Sequence, residues 1–273
     1  MSATASQSTV LDEARTTTER VARTFALACR LLPPVVRDDV YLLYLVFRLL
    51  DDAVDEGQAG AERRVTAVEA WAQKRPAEVT REVEILGKLA RRHPIPRDAF
   101  TDFCAGMRSD LAGERYRTEA DVDRYCYRVA GTVGVVMASI LGMRDPVRAR
   151  PAAAALGMAM QRTNILRDID EDLAAGRVYL AQETLDRLGG PQPGARRDLL
   201  RDQIARAEAL YEQGRAGIPE LVRGRRAVAA AAGMYREILR QIEREGYGSR
   251  PGRAVVSKPR KVVAAARQAL RIQ

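Results

Sequence analysis

An all-α fold is expected for this chain, and three observations carry that expectation. Ala, Leu, Arg and Glu dominate the composition, residues that lose little side-chain freedom in a helix. Apolar positions recur with helical spacing, and Gly and Pro collect at the breaks between such stretches. No run of alternating apolar and polar residues stands between turn signals, so nothing reads as a strand.

In chain order, the polar residues 1–15 are expected to be flexible, and helical periodicity covers 9–32 until Pro33-Pro34 stops it. A second helix is expected over 36–55, ending near Gly57. Pro76 and His93-Pro94 punctuate helices over 61–73 and 77–91. Further helices fit 97–111, 120–141 and 147–173. The clearest long loop is 188–194, rich in Gly and Pro. Beyond it, 198–214, 219–245 and 259–271 read as helices, the last two separated by the glycine-rich stretch 246–252. With no long linker and no internal repeat, one helical domain over 1–273 is expected, and 47% apolar residues suffice for its core.

Composition also excludes function classes. The first fifteen residues carry acids and lack the pattern of a signal or basic transit peptide. The longest uncharged run, 129–143, falls short of the roughly 20 residues that span a bilayer. A cytoplasmic protein is expected, either soluble or peripheral on the inner face of the membrane. Cys29, Cys104 and Cys126 share no metal or redox spacing and read as reduced core thiols. The single histidine, His93, rules out a multi-histidine metal site and reads as part of a surface turn. A net charge of +9 favours anionic partners, and 250–273 holds seven basic residues and no acid. Zinc-finger spacing and RNA-binding aromatic signatures are absent, so nucleic acid is not an expected partner.

Two acidic clusters more than a hundred residues apart hold the chemistry. The first is Arg48-Leu-Leu-Asp51-Asp52-Ala-Val-Asp55-Glu56, with Tyr44 a turn earlier. The second is Gln161-Arg162-Thr-Asn164-Ile-Leu-Arg167-Asp168-Ile-Asp170-Glu171-Asp172. Helical spacing of four puts Asp51 and Asp55 on one face, and Asn164, Asp168 and Asp172 on another. Acidic runs of this kind ordinarily decorate solvated faces. Here apolar flanks turn both stripes partly inward, where unpaired carboxylates would cost many kcal/mol. Facing each other, they would make a multi-cation site for a polyphosphate. Carboxylate and amide oxygens suit Mg²⁺, with Mn²⁺ the alternative, and Arg48 and Arg167 offer planar forks to phosphate.

On these motifs the sequence resembles the squalene/phytoene synthase family, which joins two prenyl diphosphates head to head. The matching segments are Arg23-Thr24-Phe25 through Pro33, residues 44–56, residues 125–134 (Tyr-Cys-Tyr-Arg-Val-Ala-Gly-Thr-Val-Gly) and residues 161–180, with a weaker match over 235–271. The resemblance implies an isoprenoid synthase fold, a helical bundle with a central cavity and both acidic motifs at its mouth. It assigns Asp51, Asp55, Asn164, Asp168 and Asp172 to Mg²⁺. Diphosphate contacts fall to Ala22, Arg23, Thr24, Tyr44, Arg48, Gln161, Arg167 and Tyr247, with Lys258, Arg260 and Lys261 closing over phosphate. Catalysis rests on Asp51, Asp55, Asp168, Asp172, Arg48 and Arg167.

Two departures stand out. The family's serine-rich pattern is Ala22-Arg23-Thr24 here, and Arg162 replaces an apolar residue beside Gln161, either pointing away from the cavity or adding a phosphate contact. Small residues at Gly131, Gly134, Ala138 and Gly142 fit either cavity lining or close helix packing. Cys29, one turn after Phe25, leaves room for a longer chain and favours two geranylgeranyl diphosphates giving phytoene through prephytoene diphosphate. The alternatives are the C30 reaction on farnesyl diphosphate, with NADPH needed only if squalene is formed, a single-substrate terpene cyclase, and a non-catalytic scaffold. Oligomeric state has no sequence signal.

Overall fold

The computed structural model describes the backbone of residues 2–270 and the side chains from residue 9 onward. Fourteen α-helices follow in order among these residues: α1 (Ser2–Val21), α2 (Arg23–Cys29), α3 (Pro34–Asp55), α4 (Ala61–Ala72), α5 (Arg81–Ala90), α6 (Arg97–Leu111), α7 (Glu119–Cys126), α8 (Thr132–Leu141), α9 (Pro146–Arg167), α10 (Ile169–Ala174), α11 (Gln182–Leu188), α12 (Arg197–Ala216), α13 (Arg225–Arg244) and α14 (Lys258–Ala269). A π-helical turn (Tyr127–Gly131) joins α7 to α8, and a short 3₁₀ turn (Ile218–Glu220) precedes α13. An isolated bridge between Met143 and Leu221 is the only β pairing among the described residues. The all-α expectation holds.

Local chemistry starts the helices where the chain needs them. Pro34 and Pro146 occupy first-turn positions, where a missing N–H costs nothing. The Asp145 carboxylate accepts from the Val147 N–H at 2.9 Å, and Thr118 with Asp121 forms a capping box at α7.

Two apolar cores meet across the bundle. One gathers buried side chains of α3, α4, α5, α6 and α8 around Leu43, Leu50, Leu86 and Phe100. The other gathers α7, α9, α12 and α13 around Leu199, Leu200, Tyr211 and Leu239. Val129 and Val228 pack against both. The first acidic motif therefore ends a helix of one core, and the second ends a helix of the other.

The crossing of α9 on the π turn and α8 is set by glycine. A Cβ on Gly157 would lie 2.1 Å from the Ala130 carbonyl oxygen, and one on Gly134 would lie 2.2 Å from that of Ala153. The small residues of this segment thus serve close backbone approach, at least at Gly134 and at Gly131, whose added Cβ would crowd Tyr127 and Met158.

Several boundaries differ from those expected. Helix α1 begins at Ser2, and the helix expected over 9–32 is two, broken at Ala22 (φ −122°, ψ 53°). The helix expected over 120–141 contains the π turn, a feature frequent at functional sites. Helix α11 was not expected. His93 is less a free surface turn than an anchor: its Nε2 lies 2.6 Å from the buried Asp39 carboxylate, which Arg92 also binds at 2.8 Å.

Gly157→Ala is expected to destabilise the fold by about 1–3 kcal/mol, because neither backbone at the crossing can retreat without moving a helix. Thermal unfolding of the purified variant measures this. An unchanged Tm would show that the crossing is looser than described.

Candidate active site

Helix α3 places Tyr44, Arg48, Asp51 and Asp55 on one side over its last three turns. Arg48 reaches Asp51 at 3.3 Å and also binds Asp52, so one guanidinium holds two carboxylates of its own helix. The Phe25 ring of α2 stacks on Tyr44 with centroids 5.1 Å apart.

The second motif departs from the continuous helix expected over 147–173. The chain leaves helical geometry at Asp168 (φ −102°, ψ 10°) and resumes in α10. The spacing nevertheless survives the break, since Asp168 N–H donates to Asn164 O and Asp172 N–H to Asp168 O, each at 2.9 Å. Asn164, Asp168 and Asp172 remain a stripe.

The two motifs face each other. Arg177, just beyond α10, donates to Asp55 Oδ1 at 2.7 Å and so ties the end of the second motif to the end of the first. Electrostatics agree. The Asp51 carboxyl is pushed up to about 6, by burial first and then by Asp55. Asp172 is also pushed up to about 6, by burial first and then by Asp168, with Asp55 adding to the repulsion from across the cleft. Asp51 keeps 45% of its side chain accessible. The walls around it displace bulk water while its oxygens stay reachable, a setting suited to a ligand.

Cations collect over the second motif. Asp168 takes Arg167 at 2.5 Å and Arg253 at 2.9 Å. Lys261 donates to Thr24 Oγ1 at 3.0 Å, and its ammonium is held below the ordinary lysine range by burial and then by Arg167, Arg23 and Arg253. Positive side chains from α2, α9, α14 and the segment before α14 thus converge within electrostatic reach of one another. Of the three C-terminal cations expected over phosphate, only Lys261 turns inward; Lys258 and Arg260 are exposed, and Arg260 donates to Gln241 at 3.0 Å.

Arg162 and Tyr247 have other partners. Arg162 points away from the cleft, buried to 2% exposure and bound to Asp123 at 2.7 Å, Gln203 at 2.8 Å and Glu119 at 2.9 Å. The tyrosine brought to the second motif is Tyr235, which lies against Arg167 and feels the charge of Asp168. Tyr247 sits instead under the Arg201 guanidinium, 5.0 Å from its ring centroid. Gln161 accepts from the Asn164 amide at 3.4 Å. Ala22 stays at the α1–α2 elbow with no side-chain hydrogen bond to offer.

Sequence reasoning missed Asp110. This α6 carboxylate accepts from the Tyr125 hydroxyl at 3.0 Å and from that of Tyr179 at 3.3 Å. The two rings stack at 5.2 Å, and Tyr116 joins at 5.1 Å from Tyr125. Burial pushes Asp110 up to about 7, and the nearby charges of Asp55 and Asp51 push the same way. On α6 it is one acid among ordinary surface polars, and the only sequence signal was the tyrosine that opens the 125–134 segment.

The residues fit a divalent cation carried by a polyphosphate. Among those described, no three acidic, histidine or cysteine side chains converge closely enough to hold a metal alone. Mg²⁺ ordinarily takes only one or two carboxylates and completes its shell with water and substrate phosphate. The donors are all oxygen, and Asn164 Oδ1 is buried without a hydrogen-bond partner, an acceptor left for a cation.

The fold matches the crystal structure of a dehydrosqualene synthase in complex with ligand, with TM-score 0.88, 27% identity and 98% of both chains covered. The bundle is that of the class I isoprenoid synthases. A family model described as squalene/phytoene synthase matches residues 18–260, and the chain belongs to that family. Relatives include the 15-cis-phytoene synthase of Synechococcus elongatus, 35% identical over 95% of this chain and 92% of that one. The phytoene synthase of Thermus thermophilus is 40% identical over 85% of this chain and 82% of its own.

The Asp110 environment makes a pH prediction. A carboxyl whose folded-state pKa is raised is penalised once ionised, so stability falls as pH climbs from about 4 to about 7. The loss should be on the order of 2–4 kcal/mol for metal-free protein. Asp110→Asn is expected to flatten the Tm-against-pH curve between pH 5 and 8, with the residual slope coming from Asp51 and Asp172. Parallel curves for variant and wild type would contradict the assignment.

Proposed function

We propose that this chain condenses two geranylgeranyl diphosphates head to head, forming phytoene through prephytoene diphosphate. The observation that carries the reading is the convergence of the two acidic motifs from separate cores, joined by Arg177 and Asp55 and overhung by Arg23, Arg167, Arg253 and Lys261. Phytoene rather than a C30 product is supported by relatives of 35–40% identity that bear that name.

Each residue set has a task in this reaction. Asp51 and Asp55 on one wall, with Asn164, Asp168 and Asp172 on the other, would hold Mg²⁺. When bound, the cation neutralises the diphosphate leaving group as a Lewis acid. Arg48, Arg167, Arg253, Arg23 and Lys261 bind phosphate oxygens and keep the leaving group at the mouth, while Thr24 fixes the Lys261 ammonium and Gln161 steadies Asn164. Tyr44 and Tyr235 border the phosphate region. The allylic carbon that loses diphosphate is attacked by the double bond of the second substrate. Loss of a proton closes the cyclopropane ring, and a second ionisation followed by proton loss gives the C40 hydrocarbon.

These cations need a wall that excludes water. The tyrosine stack supplies it beside the first motif. Asp110 accepts from the Tyr125 and Tyr179 hydroxyls and so holds the stacked rings in place. No reductant enters this reaction, so NADPH is not required. Peripheral contact with a membrane accords with substrates and product of this length, and no helix among the described residues is long and apolar enough to cross one.

Purified protein with Mg²⁺ and geranylgeranyl diphosphate should release a C40 hydrocarbon on mass spectrometry, without NADPH. Asp51→Ala and Asp168→Ala should each lower turnover by about a hundredfold or more. A C30 hydrocarbon from farnesyl diphosphate as the preferred product would overturn the chain-length assignment. Cyclic C15 or C20 products would replace coupling with cyclisation.

A further inference from the structure

Helix α14 has two faces with different partners. Its inner face carries Lys261, Ala264, Ala265 and Gln268, all half-buried, and packs on α13, where Gly233 leaves space for Gln268 and the Ala264 carbonyl. This is the face that sends Lys261 to Thr24. At 3.6 residues per turn, Pro259, Val262, Val263, Ala266 and Leu270 fall on the opposite side within about 100° of arc. All five are exposed, Val262 at 55%, Val263 at 47% and Leu270 at 83%.

Charge frames this stripe. Lys258 borders it on one side, Arg260 and Arg267 on the other, and all three are exposed. No acid occurs anywhere from Arg250 to Leu270. Val255, just before the helix, adds a further exposed apolar side chain at 69%. An apolar stripe between two basic margins is the pattern of a helix lying in the plane of an anionic bilayer, with its aliphatic side chains among the acyl chains and its cations at the headgroups. A protein partner fits less well, because the stripe has no aromatic side chain to anchor a docking pocket.

We propose that the outward face of α14 docks the protein on an anionic lipid surface. The same helix then connects that surface to the cation cluster over the second acidic motif, since Lys261 leaves its inner face. The choice of a lipid occupant rests on the reading of long-chain substrates given above. The contact itself is measured without any turnover, so failure of docking and failure of the reaction assignment are separable.

The test is co-sedimentation of the full chain with sucrose-loaded vesicles of phosphatidylcholine alone or with about 30% phosphatidylglycerol. Binding should be at least about tenfold stronger to the anionic vesicles and should weaken as salt is raised. V262D/V263D should lower that binding at least about tenfold. A milder V262S/V263S pair and Arg267→Ala should each give a smaller loss. All three variants should keep turnover on detergent-dispersed substrate within about twofold of wild type, as none touches the inner face. Equal binding to both vesicle types, or full binding by V262D/V263D, would overturn the proposal. Self-association of wild type that V262D/V263D abolishes, without vesicle binding, would assign the face to a second copy instead.

Discussion

Mutual repulsion among carboxylates held in an apolar bundle is the constraint on which the rest of this structure depends. Asp51 and Asp55 arrive from one core and Asp168 and Asp172 from the other, and beyond burial the charge of Asp55 raises the proton affinity both of Asp51 beside it and of Asp172 across the cleft. Such a concentration of negative charge stands only because arginines are interleaved with it. Arg48 serves the first motif, Arg167 and Arg253 the second, and Arg177 spans both. The same guanidiniums are the natural partners of phosphate, so one set of side chains both permits the cleft and, in the proposed reaction, equips it.

The helical frame fixes how far apart the walls stand. Glycines at 134 and 157 let α8, the π turn and α9 meet backbone to backbone, which brings the helix of the second motif against the elements that follow Tyr125. Tyr125 in turn reaches Asp110 of α6, a helix of the other core. Buried ion pairs lock the rear. Arg196, 2% exposed, binds Asp170 at 2.5 and 2.8 Å and donates further hydrogen bonds to the carbonyls of 191, 248 and 250. Asp170, an acid of the motif that points away from Asp168, is therefore a fastener for the loop that carries Arg253.

Much of this was legible in the sequence because helical spacing translates directly into shared faces. Tyr44, Arg48, Asp51 and Asp55 needed only the helix of α3, and the stripe of Asn164, Asp168 and Asp172 outlived a break that spacing did not reveal. What stayed hidden depended on contacts between distant segments. Asp110 is unremarkable until α6 packs beside Tyr125 and Tyr179. Arg162 was ambiguous until Glu119, Asp123 and Gln203 were seen to claim it. Tyr235 and Tyr247 are equally plausible by composition, and only the fold brings the former to Arg167. The basic C-terminal run likewise divides by helix face, a distinction that net charge does not make.

The central claim is that the two acidic motifs act as one site. Calorimetry with Mg²⁺ and a non-hydrolysable geranylgeranyl thiodiphosphate tests it most directly, comparing wild type with Asp55→Ala, Asp172→Ala and the double variant. One shared site predicts strong non-additivity, each single change weakening binding nearly as much as both together. Losses that simply add would mean that the motifs bind independently, and the account would fail.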